Sequence, residues 1–229
     1  MKMAVDRETN NPGSDSFLPQ TIAALWIQGP VFTISGFVFG LLATPVLALF
    51  IAGVWLLGLA LFVIWLAPLW AVIFWLVGKV LTGEKIKPRD YFISLKKFAW
   101  RGIALGGIVA IPIFIGLTTL DQLGSGAEVV FIYQLGMATN LAVWVLCLAI
   151  SIYALPLVVF MDASLITALG IGLGMAIHKP INTFGLLSLG FLLMLGIAYI
   201  SPALIFFFPI IWVVFIVKNF QIIATGNRI

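Results

Sequence analysis

From Leu18 to Gly78 the chain reads LPQTIAALWIQGPVFTISGFVFGLLATPVLALFIAGVWLLGLALFVIWLAPLWAVIFWLVG, without a single Asp, Glu, Lys or Arg. A transmembrane helix needs about 20 consecutive, mostly apolar residues. The longest uncharged stretches of this chain reach that length, so each is able to cross a bilayer. The sequence therefore predicts an integral membrane protein.

The composition of the whole chain supports this prediction. Of 229 residues, 63% are hydrophobic and only 9% are charged, whereas a soluble domain carries about 25% charged residues. So few charges cannot cover a water-facing surface. A transmembrane β-barrel would alternate apolar and polar residues, and the continuous apolar run Val54–Trp75 does not. We therefore expect an all-α, polytopic transmembrane helical bundle.

Prolines and charged segments divide the chain into about six spans. The first apolar block, Ile22–Gly78, is too long for one helix and suits two. We place its break near Leu42–Pro45, because Thr44-Pro45 can end one helix and begin the next. The alternative is a break near Pro68, with the first helix in the membrane interface. The remaining spans are expected at about 102–120, 129–156, 183–200 and 202–217, the last capped by Ser201 with Pro202 as its first residue.

The distribution of basic residues predicts the orientation of these spans. With six spans, both termini lie on one side, and all 12 Lys and Arg residues lie there too. The other side carries Asp121 and Glu128 and no basic residue. By the positive-inside rule, the basic side is cytoplasmic. We interpret residues 1–17 as a flexible polar tail without a signal peptide, and residues 18–229 as a single transmembrane domain.

The rest of the composition argues against several function classes. The net charge of +4 reflects basic cytoplasmic loops, so we expect no nucleic-acid partner. One cysteine and one histidine, His178, make no metal-ligand set. The span centres carry no ionisable residue, and ion pathways usually need one; we expect polar groups such as Ser35, Asn140 and Asn182 to bond across helices instead. We therefore expect no enzyme and no cofactor.

The most patterned segment is Glu84–Arg101, which reads EKIKPRDYFISLKKFAWR. Pro88 suits a helix start, and apolar residues such as Phe98 would then rest on the membrane, with Trp100 at headgroup depth. One face of this amphipathic helix forms a candidate cytoplasmic docking surface, which we call the docking stripe: Asp90, Ser94, Lys97 and Arg101. The alternative is a basic connector held on anionic lipid headgroups.

A second patterned segment, Asp162–Pro180, reads DASLITALGIGLGMAIHKP. We expect Asp162 to cap a helix that begins at Ala163 and runs to about residue 177. Small residues at helical spacing let membrane helices approach closely, and here they form two rows: Ala168, Gly172 and Ala176, and Gly170 and Gly174. Close packing is one interpretation, and a cytoplasmic coupling helix is the other. Gly36 and Gly40 form a similar contact pattern earlier in the chain.

Short motifs at the ends of the predicted hairpins occur in a characteristic order: Ala67-Pro68-Leu69-Trp70-Ala71, Gly78-Lys79-Val80-Leu81-Thr82-Gly83-Glu84, Arg89-Asp90-Tyr91-Phe92, Leu95-Lys96-Lys97-Phe98, Tyr153-Ala154-Leu155-Pro156-Leu157 and His178-Lys179-Pro180. In this order they resemble the YesL-like family of bacterial inner-membrane proteins, from about Val54 to the C-terminus. The resemblance implies an accessory role beside carbohydrate ABC transporter subunits in the inner (plasma) membrane. It supplies no catalytic residues.

Two other functions stay open at this point. One is a substrate-binding membrane subunit or permease of a small-solute transporter, which would need a pocket on the outer side. The other is a structural subunit of a larger membrane complex. The partners expected from sequence are the bilayer, anionic lipid headgroups, and either ABC transporter subunits or another membrane complex.

Overall fold

The computed structural model describes residues 21–22, 25–84, 86–124, 130–201, 204 and 206–226, so the predicted tail 1–17 lies outside it. The described chain is helical and contains no strand. Its helices are α1 (Gly29–Ile51), α2 (Trp55–Leu61), α3 (Ala67–Leu81), α4 (Pro88–Gly124), α5 (Val130–Phe160), α6 (Leu165–His178), α7 (Pro180–Tyr199) and α8 (Phe208–Gly226), with a π-helical turn (Phe62–Leu66) joining α2 to α3.

Among the described residues, five helical segments are long and apolar enough to cross a membrane: Gly29–Ile51, Trp55–Leu81, Arg89–Gln122, Phe131–Phe160 and Pro180–Ile197. Shorter apolar helices cover Leu165–His178 and Phe208–Ala224. The prediction of an all-α bundle of membrane-spanning type is therefore confirmed. The sixth predicted span corresponds to the shorter segment at 208–224, so the count of six stays a prediction.

The first two spans separate at a turn that the proline rule did not predict. Helix α1 continues through Pro45 and ends at Ile51. Gly53 has φ +76°, and the N–H of Val54 donates to the carbonyl of Leu49 at 2.9 Å, which forms a Schellman motif. The predicted break near Leu42–Pro45 is wrong, because apolar helices tolerate an internal proline and this glycine provides the left-handed residue that ends α1.

The alternative break near Pro68 is also wrong, because the helix runs from Trp55 to Leu81 through the π-helical turn. Pro68 has no N–H to donate to the carbonyl of Ile64, which lies inside that turn. A local change of helix type accommodates such a mismatch without ending the helix. The indole of Trp65 donates to the carbonyl of Leu42 at 3.1 Å and ties the turn to α1.

The buried core surrounds α3, which packs against α1, α4, α5 and α8. Its residues Ala71 and Phe74 are fully buried. The neighbouring helices contribute Phe98, Tyr153, Ala154, Val158, Val213, Val214 and Val217, each at most 1% exposed. The core therefore lies in the half of the bundle where α3 ends and α4 begins.

Helix α6 begins later than the sequence pattern indicated. The N-cap is Ser164, whose hydroxyl accepts a hydrogen bond from the N–H of Thr167 at 3.3 Å, and the helix starts at Leu165. The predicted cap at Asp162 is wrong, because Asp162 adopts a left-handed conformation (φ +51°) and its carboxylate bonds elsewhere. The last helix also starts later than predicted, at Phe208; Pro202 lies outside the described residues.

The small residues of α6 have unequal roles. Ala168 is fully buried, and a Cβ atom added to Gly172 would lie 2.9 Å from the carbonyl oxygen of Ile150. This row therefore lets α6 pack closely on α5, as predicted. A Cβ atom on Gly170 or Gly174 would meet nothing within 4 Å. Earlier in the chain, Gly36 and Gly40 lie against Phe206.

Replacing Ser164 by Ala should lower the free energy of unfolding by about 1 kcal/mol, because the first turn of α6 loses its cap. Ser164→Asn should preserve stability, because an asparagine side chain can accept the same hydrogen bond. Unfolding by dodecyl sulfate in mixed micelles measures both variants. Equal stability of the alanine and asparagine variants would contradict the assigned cap.

Candidate functional site

The charged end of the bundle is the segment Lys79–Arg101 together with Asp162. It begins at a second Schellman motif, in which Gly83 has φ +78° and the N–H of Glu84 donates to the carbonyl of Lys79 at 3.0 Å. This turn ends α3 and leads the chain back into α4. The backbone N–H of Lys87 donates to Oδ2 of Asp90 at 3.0 Å, as in one half of a capping box, and secures the start of α4.

Lys79 joins the end of α3 to the start of α4. Its Nζ lies 3.3 Å from Oδ2 of Asp90 and 3.5 Å from Oε2 of Glu84. The same ammonium group lies 4.5 Å from the centroid of the Trp75 ring, within the range of a cation–π contact. These contacts hold the hairpin between α3 and α4 in one arrangement.

A third ion pair joins α4 to the turn between α5 and α6. Nη1 of Arg101 donates to Oδ1 of Asp162. This hydrogen bond, together with the nearby charge of Lys97, lowers the pKa of the Asp162 carboxyl below its ordinary value. Arg101 therefore connects two parts of the chain that are 61 residues apart.

The docking stripe does share one side of α4, but most of it faces the protein. Ser94 is 1% exposed and donates to the carbonyl of Asp90 at 2.9 Å. Asp90 and Arg101 are half-buried and engaged in the ion pairs described above, and Lys97 is the exposed member of the stripe. The role of the stripe in docking stays a prediction, and the structure shows which of its members a partner can reach.

The apolar side of the same segment also faces inward, which corrects the expected interfacial helix. Phe98 is fully buried in the core, and the hydroxyl groups of Tyr91 and Ser35 lie 3.1 Å apart. There is no separate interfacial helix, because α4 is continuous over 37 residues. Its partners come from α1, α3 and the α5–α6 turn, so a pattern within 18 residues could not reveal them.

The side of α4 that does face outward carries a different set of residues, which we call the outer face: Arg89, Phe92, Ile93, Lys96 and Trp100. At about 100° per residue, these five fall within an arc of about 100°. Phe92 is 75% exposed and Trp100 is 78% exposed. Of these five residues, the sequence analysis placed only Trp100 at headgroup depth. The recurrence of aromatic and basic residues at helical spacing is the sequence pattern that indicates the other four.

Polar groups elsewhere in the bundle bond across helices, as expected. Nδ2 of Asn182 donates to Oδ1 of Asn219 at 3.1 Å, and Nδ2 of Asn140 donates to the carbonyl of Pro112 at 2.8 Å. The hydroxyl groups of Tyr153 and Thr183 lie 3.0 Å apart. His178 is exposed at the end of α6, and the described residues contain no group of three His, Cys, Asp or Glu side chains arranged to hold a metal ion.

An apolar groove opens between α2 and α4, on the far side from the charged end. Its volume is about 380 Å³, and its lining consists of Leu56, Leu59, Ala60, Val63, Ile64, Gly107, Ala110, Ile111 and Phe114. None of these side chains carries a polar atom. The groove therefore lacks the hydrogen-bonding groups that a sugar-binding pocket needs.

No protein-family model, no curated protein and no solved structure matches the chain at a significant level. The resemblance to the YesL-like family therefore rests on the motifs of the sequence and stays a prediction.

The ion pair between Arg101 and Asp162 predicts a pH dependence at the acid end. A carboxyl with a lowered folded-state pKa stabilises the fold above its unfolded pKa, and this contribution is lost as the pH falls through the folded value. Stability attributable to this pair should be constant from neutral pH to about pH 5 and decrease progressively as the pH falls below about 4. Comparing wild type with Asp162→Asn across this range measures it; a difference that persists unchanged at the lowest pH would contradict the pair.

Proposed function

We propose that the chain is a multi-pass protein of the inner (plasma) membrane, with six spans and both termini in the cytoplasm. In this proposal it is not an enzyme but an accessory component of a transport system, and its charged end is the surface that partners contact. The observation that carries the proposal is the pair of ion-pair clusters around Lys79 and Arg101, which join α3, α4 and the α5–α6 turn. These ion pairs fix the position of the helix that carries the exposed Lys97, at one end of an otherwise apolar bundle.

The expected partner is a subunit of a carbohydrate ABC uptake system. This part of the proposal comes from the resemblance to the YesL-like family. The apolar lining of the groove between α2 and α4 favours an accessory protein over a carrier of polar solutes, because no polar side chain lines it. Within the docking stripe, Lys97 is the residue whose charge a partner can reach without breaking an ion pair of the fold.

Reversing one charge tests the docking surface. Lys97→Glu should reduce partner retention at least tenfold when the protein is purified in mild detergent, because repulsion replaces a favourable contact across the interface. Lys96→Glu is the matched control, since it makes the same change one residue earlier on the outer face. Loss of partner with both variants, or with neither, would remove the docking stripe from the proposal.

The topology has its own test. A cytoplasmic-side reporter fused after Ile229 should be active, and a cysteine introduced at Ser125 should react with a membrane-impermeant reagent added outside the cell. Ser125 lies outside the described residues, in the connection between α4 and α5. A reporter at Ile229 that is active only outside the cytoplasm would contradict the six-span arrangement.

A further inference from the structure

Helix α4 touches α3 but separates from α2, and this separation forms the apolar groove. Where α3 begins, the two helices are in contact: a Cβ atom on Gly102 would lie 2.8 Å from the Cα atom of Pro68. Farther along α4, a Cβ atom on Gly107 would meet nothing within 4 Å. The π-helical turn Phe62–Leu66 lies where the separation begins. Changes of helix direction occur at such turns, so this turn accounts for the gap.

The groove lies within helices that are suited to cross the membrane. Its lining runs from Leu56 to Ile64 on one side and from Gly107 to Phe114 on the other. Both stretches belong to segments long and apolar enough to span a bilayer, and neither contains a charged residue. The surroundings are therefore hydrocarbon, with no water to fill a volume of about 380 Å³. Because an empty space of this size forfeits van der Waals contacts, an apolar group from outside the chain occupies it.

The dimensions of the groove select a narrow occupant. At 1.5 Å per residue, the distance along the helix from Leu56 to Ile64 is about 12 Å, so the mean cross-section of the groove is about 30 Å². An α-helix with its side chains is about 10–12 Å wide, and its cross-section of about 80 Å² or more does not fit. A linear hydrocarbon chain, packed about 4 Å from its neighbours, needs about 20 Å². The groove therefore accepts one hydrocarbon chain and excludes a helix.

The small contact area also argues against a second copy of this chain or another protein as the occupant. Each partner of a stable protein complex buries about 800 Å². A groove about 12 Å long and about 6 Å wide presents only a small fraction of that area. Its lining carries neither a charge nor a hydrogen-bonding side chain, so the groove does not select a headgroup.

We propose that the groove between α2 and α4 is a binding site for one acyl chain of a bilayer phospholipid. The small residues Gly107 and Ala110 leave the space for the chain, and Ile64 and Phe114, which are 64% and 43% exposed, border it. The chain is held by van der Waals contacts along its length, so phospholipids with the same chains and different headgroups bind alike. This site is separate from the charged end and does not depend on the proposed transport role.

The test is photolabelling of the full chain in phosphatidylcholine vesicles that contain some phosphatidylcholine with a diazirine in one acyl chain. Mapping of the labelled peptides should find more label per residue in Leu56–Ile64 and Gly107–Phe114 than on the exposed side of α7, where Phe184 is 74% exposed. The reason is that a chain in the groove meets protein on several sides. Phosphatidylglycerol with the same diazirine chain should give the same distribution. Label no higher than on α7, or label that requires one headgroup, would overturn the proposal.

Gly107→Leu fills the groove, and Gly136→Leu is the matched control on α5. A Cβ atom would meet nothing within 4 Å at either glycine, but Gly136 is not part of the lining. Gly107→Leu should lower labelling of the groove about tenfold, because its side chain and an acyl chain cannot share one space, and the control should leave labelling unchanged. In detergent, Gly107→Leu should be at least as stable as wild type, since leucine favours a helix over glycine. A loss of stability would show that the chain itself fills this space; that result, unchanged labelling, or an equal loss in the control would each refute the proposed site.

Discussion

Replacing Phe98 by Ala should lower the free energy of unfolding by about 3–5 kcal/mol, the range for removing a buried phenylalanine ring. Phe98 is fully buried, where α4 meets the core around α3. Its ring packs in the half of the bundle that contains most of the buried residues, so few neighbours can move into the space it would leave. Unfolding in mixed micelles of mild detergent and dodecyl sulfate measures the loss.

Phe92→Ala is the matched control for this prediction. It removes the same side chain from the same helix, six residues earlier, but Phe92 is 75% exposed. We expect its unfolding to differ from wild type by less than about 0.5 kcal/mol in detergent, as for most surface substitutions. If both variants lost the same stability, the inward orientation of Phe98 would be wrong and the interfacial helix expected from the sequence would be right.

Gly102→Ala should destabilise the bundle by about 1–3 kcal/mol through overpacking. A Cβ atom at Gly102 would lie 2.8 Å from the Cα atom of Pro68 and 3.1 Å from the carbonyl oxygen of Ala67. Both are backbone atoms, so a change of side-chain rotamer cannot relieve the clash. The two helices would have to separate where α3 begins, next to the core.

Gly107→Ala makes the same change in the same helix, where a Cβ atom would meet nothing within 4 Å. Alanine favours a helix over glycine by about 0.5–1 kcal/mol, so this variant should be as stable as wild type or more stable. The opposite signs of the two changes separate close helix packing from helix propensity. A stabilising effect of Gly102→Ala would show that α3 and α4 do not approach at this position.

The glycines also show what a sequence pattern can and cannot predict about helix packing. Gly36 and Gly40 were recognised as a contact pattern, and they do lie against Phe206. Gly102 and Gly106 have the same spacing and lie against Pro68 and Ala67, but they were not singled out. The spacing identifies a surface suited to close approach, and it does not identify the helix that approaches it.

The ends of several helices were predicted at the wrong residues, because prolines were taken to end them. Pro45 and Pro156 were expected at helix ends, yet both lie inside helices. Helices α1 and α3 end two residues before Gly53 and Gly83, which adopt the left-handed conformation of a Schellman motif. An apolar membrane helix tolerates the hydrogen bond and the space that a proline takes from it, whereas a glycine permits the backbone to reverse at low cost.

The orientation of the candidate site could be predicted even less, because it depends on tertiary contacts. The helical spacing of Asp90, Ser94, Lys97 and Arg101 correctly placed them along one side of a helix. Whether that side faces water or protein depended on Lys79 and Asp162, which come from other elements. An ion pair between distant residues leaves no local periodicity, so the stripe looked exposed.

The sequence by itself determined that the chain folds as apolar helices. A charge-free run as long as Leu18–Gly78 can satisfy its backbone hydrogen bonds in a bilayer only within helices or closed barrels. The run does not alternate apolar and polar residues as a barrel strand would, so it forms helices. Only the tertiary structure decided which side of each helix is buried. In an apolar chain, hydrophobicity hardly distinguishes the side that meets lipid from the side that meets protein. Close approach at glycines and pairing of distant charges make that choice, and they turned Phe98 inward and left Phe92 and Trp100 exposed.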